Sequence, residues 1–193
     1  MRSHELAIGR TVMAVFDHGD DFYTALDAAC RTHGIRQGYI PLFIAGLRSA
    51  DIVGTCEHVD DPDAPLWSKV HLTNLEALGG GTLAYDPDTD SVQPHIHLSV
   101  GLKAHSATGH TSHLLAATVQ FVTELVLVEI TAPRLRRVPE ADLYDVPLLQ
   151  FGTTTDAEGQ MAGRSRHFTE ARRVARAAMS MSHDRVGVAQ GRA

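Results

Sequence analysis

Five of the twelve histidines in this chain fall between positions 95 and 113: His95, His97, His105, His110 and His113. His95 and His97 are spaced i, i+2 within Pro94-His95-Ile96-His97-Leu98-Ser99-Val100. In a strand such a pair leaves by one face, while Ile96, Leu98 and Val100 leave by the other. If the apolar set faces a core, the two imidazoles face solvent or a cleft. A third histidine on a neighbouring element would complete a facial set of three nitrogens. That set suits zinc or a similar borderline divalent metal and keeps a position open for water. The pair alone is equally what an exposed strand carries. The weight comes from His110 and His113 in Gly109-His110-Thr111-Ser112-His113-Leu114, since metal sites are built from clusters.

The flanking residues predict how the pair is held. Thr82-Leu83-Ala84-Tyr85 and Ser91 to Val100 flank Asp86-Pro87-Asp88-Thr89-Asp90, which reads as a hairpin with the histidines on its second arm. Residues 101–113 read as a Gly/Ser/Thr/His loop. Leu114 to Ile130 is strongly apolar. Its first half permits a helix, and its β-branched second half reads as a central strand. Upstream, Gly79-Gly80-Gly81 allows unusual backbone angles or close approach of another chain segment, and no phosphate-loop signature accompanies it.

Nearer the N-terminus, Thr11 to Phe16 reads as a strand. Asp20 or Asp21 can cap a helix in which Phe22, Ala25, Leu26, Ala29 and Cys30 recur at helical spacing, and Gly34 ends it. Tyr39 to Gly46 reads as a buried strand, with Pro41 forcing an edge or a bulge, and Leu47 to Glu57 as the next strand. Asp60-Asp61-Pro62-Asp63-Ala64-Pro65 is a turn-rich surface loop. Arg134 to Leu149 reads as an ordered extension over the body. The expected organisation is an N-terminal extension (1–9), one domain (10–132), that extension (133–152) and an arginine-rich tail (153–193) able to form one amphipathic helix over His167–Met181.

Charge separates body from tail. The net charge is −6, but residues 1–158 carry 10 Lys+Arg against 21 Asp+Glu, whereas residues 159–193 carry seven Arg against Glu170 and Asp184. An acidic body repels nucleic-acid phosphates. Any DNA contact therefore falls to the tail, through Arg164, Arg166, Arg172, Arg173 and Arg176. Cys30 and Cys56 lack metal or redox spacing, and no apolar run approaches the roughly 18–20 residues that span a bilayer. Reduced thiols and the absence of an export signal point to the cytoplasm, with no membrane partner.

Four stretches taken together resemble the PPC domain, the plants and prokaryotes conserved domain. They are Phe16-Asp17-His18-Gly19-Asp20-Asp21-Phe22, Leu72 to Gly80, Pro94 to Ser99, and His113-Leu114-Leu115-Ala116-Ala117-Thr118-Val119 followed by Thr123-Glu124. The resemblance implies an α/β (α+β) fold, with a largely antiparallel or mixed sheet and packed helices, assembled as a homotrimer. It implies a metal, zinc by expectation, on His95, His97 and a third histidine. The step to Thr118-Val119 favours His113. Thr111-Ser112 stand where the family has glycines, and His110 does follow a glycine, so His110 is the alternative. Arg-Gly-Arg-Pro minor-groove segments, which accompany this domain in plants, are absent.

Three functions follow as expectations. One is a trimeric metal-binding module with a regulatory or binding role, reaching DNA or a regulatory protein through the tail. The second is a metal-dependent hydrolase with an open three-histidine site and Glu124 or Glu76 as base. In the third, the histidines serve to pin residues 101–113 or a subunit interface.

Overall fold

The computed structural model describes residues 1–54, 69–103, 105–143 and 145–152, with the backbone alone at 105–107. The Asp60–Pro65 loop, Cys56 and the arginine-rich tail lie outside the described residues.

The elements run β1 (Ala7–Asp17), α1 (Phe22–His33), β2 (Gly38–Val53), β3 (Lys69–Asp86), β4 (Ser91–Leu102), β5 (His105–Ala132), β6 (Arg134–Glu140) and β7 (Val146–Gly152). A 3-10 turn at Ala141–Leu143 joins the last two. The main sheet has the order β1-β5-β2-β3-β4 and is antiparallel throughout. It closes because β4 also pairs with β5. One edge of β5 pairs with β2. The opposite edge pairs with β4 over residues 105–113 and with β1 over residues 122–132. The result is a barrel-like antiparallel sheet with one α-helix among the described residues. The expected set of packed helices reduces to α1.

That helix fills the gap which β4 and β1 leave on the β5 edge. Gly19 N–H donates to the Val119 carbonyl (3.0 Å) and Val119 N–H to the Asp20 carbonyl (2.9 Å). The Tyr23 hydroxyl donates to the Leu114 carbonyl at 2.6 Å. Asp21 is the N-cap, accepting from Thr24 N–H, and Gly34 closes the helix in the left-handed conformation at φ 63°. Phe22, Leu26 and Cys30 turn inward, and Phe22 meets Phe16, Tyr23 and Phe43 at ring centroid distances of 5.1–5.6 Å. Each such fully buried side chain stabilises the fold by about 1.5–3 kcal/mol relative to exposure.

Several expectations are corrected by long-range pairing. Tyr39–Gly46 and the following strand are one continuous β2, ladder-bonded on both sides, so Pro41 is not on an edge. It sits in a bulge, where the register shifts between Tyr39 and Leu42 against β5 and between Ile40 and Phe43 against β3. Leu114–Gln120 is not helical, because pairing with β2 holds it extended despite its helix-forming Leu and Ala. Residues 105–113 are not a loop, since they form the ladder that closes the barrel. The three glycines lie inside β3 rather than breaking it. Gly79 and Gly81 leave no room for a Cβ, which would collide with the Phe43 ring and with the His95 carbonyl respectively.

The hairpin β6–β7 packs its Leu135 against Ala84 and Ile130. Gln37 fastens it. Its Nε2 donates to the carbonyls of Ile130 (3.0 Å) and Pro133 (2.8 Å), and its Oε1 accepts from Leu135 N–H (2.8 Å).

Candidate metal centre

β3 and β4 form the expected hairpin, with Thr82 opposite His95 and Gly80 opposite His97. Ile96, Leu98 and Val100 are buried, so His95, His97 and Ser99 emerge on the outer face. On β5, His113 lies directly opposite His97 and Thr111 opposite Ser99. The hydroxyls of Ser99 and Thr111 hydrogen-bond at 2.7 Å, which locks the register beside the histidines.

The three imidazoles converge. One ligand nitrogen from each of His95, His97 and His113 lies within 4.8 Å of the other two. The Nε2 atoms of His95 and His97 are 3.1 Å apart. Two nitrogens on one tetrahedral zinc stand about 3.3 Å apart, given Zn–N bonds of about 2.0–2.1 Å. His113 Nδ1 is buried with no hydrogen-bond partner. A buried imidazole nitrogen left bare costs free energy that a partner would remove. The donor set is all-nitrogen and uncharged, so these residues fit a borderline divalent ion.

The electrostatics favour the ligating form of two of the rings, His95 and His113. Burial, the Arg137 guanidinium and the neighbouring imidazoles push the His95 pKa down to about 4. Burial, then His97 and Arg137, also lower His113. Neutral rings are the form that binds metal.

The other candidates sit elsewhere. His110 pairs with Val100, whose side chain is buried, and so leaves β5 by the face opposite to His113. The side chain of His105 lies outside the described residues. Glu76 stands opposite Gly101, four residues along β4 from His97, or about 13 Å. Glu124 lies on β5 between Val15 and Ile44, eleven residues along the strand from His113, or roughly 36 Å. Among the described residues no carboxylate joins the three imidazoles. Arg137, on β6, is the residue that reading the sequence missed. Its Nη2 donates to Thr82 Oγ1 at 2.6 Å, next to His95 across the ladder. Arg134-Leu135-Arg136-Arg137 showed only as a basic extension, and nothing local ties it to a position 55 residues upstream.

A closed antiparallel barrel with one edge-filling helix and a three-histidine face defines the class of protein. The profile of the Plants and Prokaryotes Conserved (PCC) domain matches residues 3–131. The chain belongs to that family. No curated protein sequence matches it. Solved structures of similar fold include a plant- and prokaryote-conserved protein of Pyrococcus horikoshii (TM-score 0.64, 21% identity, covering 79% of this chain and 99% of that one). A metal-containing protein of Archaeoglobus fulgidus is comparable (TM-score 0.62, 22% identity, 78% and 99% covered). So is a protein of Ralstonia eutropha named as a candidate for DNA binding (TM-score 0.59, 20% identity, 72% and 90% covered). No helix among the described residues is long and apolar enough to cross a membrane.

Proposed function

We propose that this chain is a metal-binding member of its family, holding zinc or a similar divalent ion on His95, His97 and His113. The observation that carries this reading is the convergence of three imidazoles with His113 Nδ1 buried and partnerless. The chain's own part is positional. The β3–β4 hairpin delivers two rings, the β4–β5 ladder delivers the third, and burial with Arg137 favours the neutral form of His95 and His113. A bound ion would supply Lewis acidity at its open position. The metal-containing character of the Archaeoglobus fulgidus protein supports the same reading.

The module acts as a homotrimer in a regulatory or binding role. Supporting self-association, the outer face of the sheet exposes Met13 (64%), Val15 (58%), Leu42 (45%), Ile44 (48%) and Leu78 (53%). Exposed apolar residues gathered on one face in this way, here around Glu124, mark an interaction surface. DNA contact belongs to the arginine-rich tail, through Arg164, Arg166, Arg172, Arg173 and Arg176, and the description of the Ralstonia eutropha protein agrees with such a role. Among the described residues, neither Glu76 nor Glu124, the bases expected for the hydrolase alternative, stands beside the imidazoles.

Titration of metal-stripped protein with zinc against a chromophoric chelator tests the reading. Wild type takes up one ion per chain, and His113→Ala does not. Uptake unaffected by His113→Ala but lost in His110→Ala would transfer the third ligand to His110. A gel shift at physiological salt tests the tail: truncation after residue 158 should abolish duplex DNA binding, and an unchanged shift refutes that role.

A further inference from the structure

Arg137 is an unusual neighbour for a metal site. A guanidinium repels a divalent cation, yet this one comes from outside the family-matched residues to stand over the row that holds His95. Thr82 and His95 are directly paired across the β3–β4 ladder, so their side chains share the outer face. Nη2 of Arg137 is fixed there by the Thr82 hydroxyl at 2.6 Å, with the Thr82 carbonyl at 3.5 Å. Nε is buried and has no partner. Of the three guanidinium nitrogens, only Nη2 is engaged by the described residues. A partly buried cation whose donors are not all used by the described residues, beside a cluster suited to a second cation, has the charge to attract a bridging anion.

We propose that Arg137 is the anion-binding arm of this centre, and that the ligand is a small carboxylate with one oxygen on the metal and the carboxylate held by the guanidinium. The inference rests on the metal-centre reading above. Shape and charge select the ligand class. The planar fork of an arginine matches a carboxylate. The body, with 10 basic against 21 acidic residues over 1–158, disfavours polyanions such as nucleic-acid backbones. Gln37 is a positioning residue here, because its amide bonds Ile130 on β5 as well as Pro133 and Leu135 at the start of the hairpin that carries Arg137.

The test uses the full chain loaded with cobalt(II), whose visible spectrum reports on its ligands, and glycolate as probe. Wild type should bind glycolate with a change in the cobalt bands. Arg137→Gln should keep one cobalt per chain and bind glycolate at least about tenfold more weakly, as loss of one charge-assisted pair predicts, with Arg137→Lys between the two. Equal glycolate affinity in wild type and Arg137→Gln, both loaded with cobalt, overturns the role of Arg137 and leaves the metal centre standing. Failure of wild type to load cobalt overturns both. If inorganic phosphate binds more tightly than glycolate in an Arg137-dependent way, the carboxylate class is wrong. Should Arg137→Gln unfold the hairpin, Thr82→Val removes only the hydroxyl that fixes Nη2. A weakening of about threefold or more then supports the proposal, and unchanged affinity refutes it.

Discussion

His97 and His113 face each other directly across the β4–β5 ladder, sixteen residues apart in sequence and 5.5 Å between ring centroids. That one register decision converts a two-histidine strand into a three-histidine centre. A slip of one residue would send His113 to the buried face and bring His110 or Ser112 outward. Register is pinned on both sides, by Ser99 with Thr111 and by β2, which pairs Val53 with His113.

The glycines of β3 offer a direct test of how tightly β4 is held. A Cβ at Gly81 would meet the His95 carbonyl and Ile96. Gly81→Ala should therefore destabilise by about 1–3 kcal/mol, seen as a lower melting temperature, and weaken metal uptake by moving His95. A stable variant with unchanged uptake would show that the strands separate without cost.

Apo-protein stability should depend on pH in a definite direction. His95, depressed to about 4 in the fold, has an ordinary value near 6.5 when unfolded. Between those values the unfolded chain binds more protons than the native one, so stability rises with pH through that window and is lost as pH falls from about 6.5 toward 4. Solvent screening at this exposed face keeps the effect to a few degrees of melting temperature. The His95→Gln variant should show a shallower slope over the same window, measured by calorimetry without metal. An equal slope would place the pH response elsewhere.

Self-association should depend on the apolar outer face. Ile44→Asp, on an exposed position of β2, leaves the core untouched and should convert the proposed trimer to monomer by light scattering. A trimer that survives this change would place the interface on another surface.

Gln37 joins the hairpin to the barrel through both ends of its amide. Gln37→Ala should cost about 1–3 kcal/mol, because it leaves half-buried carbonyls unpaired. It should loosen β6–β7 without removing metal. Hydrogen exchange would show faster exchange at Leu135 and Arg137 and protected amides in β4. Loss of protection in β4 as well would mean the hairpin is integral to the metal face.

The parts of the site readable in the sequence are the local ones. The i, i+2 spacing of His95 and His97, the buried partners between them and the Asp-rich turn at 86–90 are all set by neighbours in the chain. So are Gly34 as stop and a cap at Asp20 or Asp21, which the fold places at Asp21. The third histidine was legible as a choice between His110 and His113, because only strand register separates their faces. The continuity of β2, β3 and β5 was not legible, since Pro41, the three glycines and the helix-forming Leu114–Ala117 each argue locally for a break. Pairing with two neighbours overrides them. Arg137 was invisible for the same reason: its contact with Thr82 exists only once β6 folds back across the sheet.

Elemental analysis of purified wild type and His97→Ala, with mass by light scattering on the same samples, tests the central claim most directly. The account predicts about one zinc or similar divalent ion per chain in wild type and none in the variant, with the fold retained. Wild type that takes up no divalent metal, or a variant that retains it in full, would contradict the account and leave the three histidines a structural cluster.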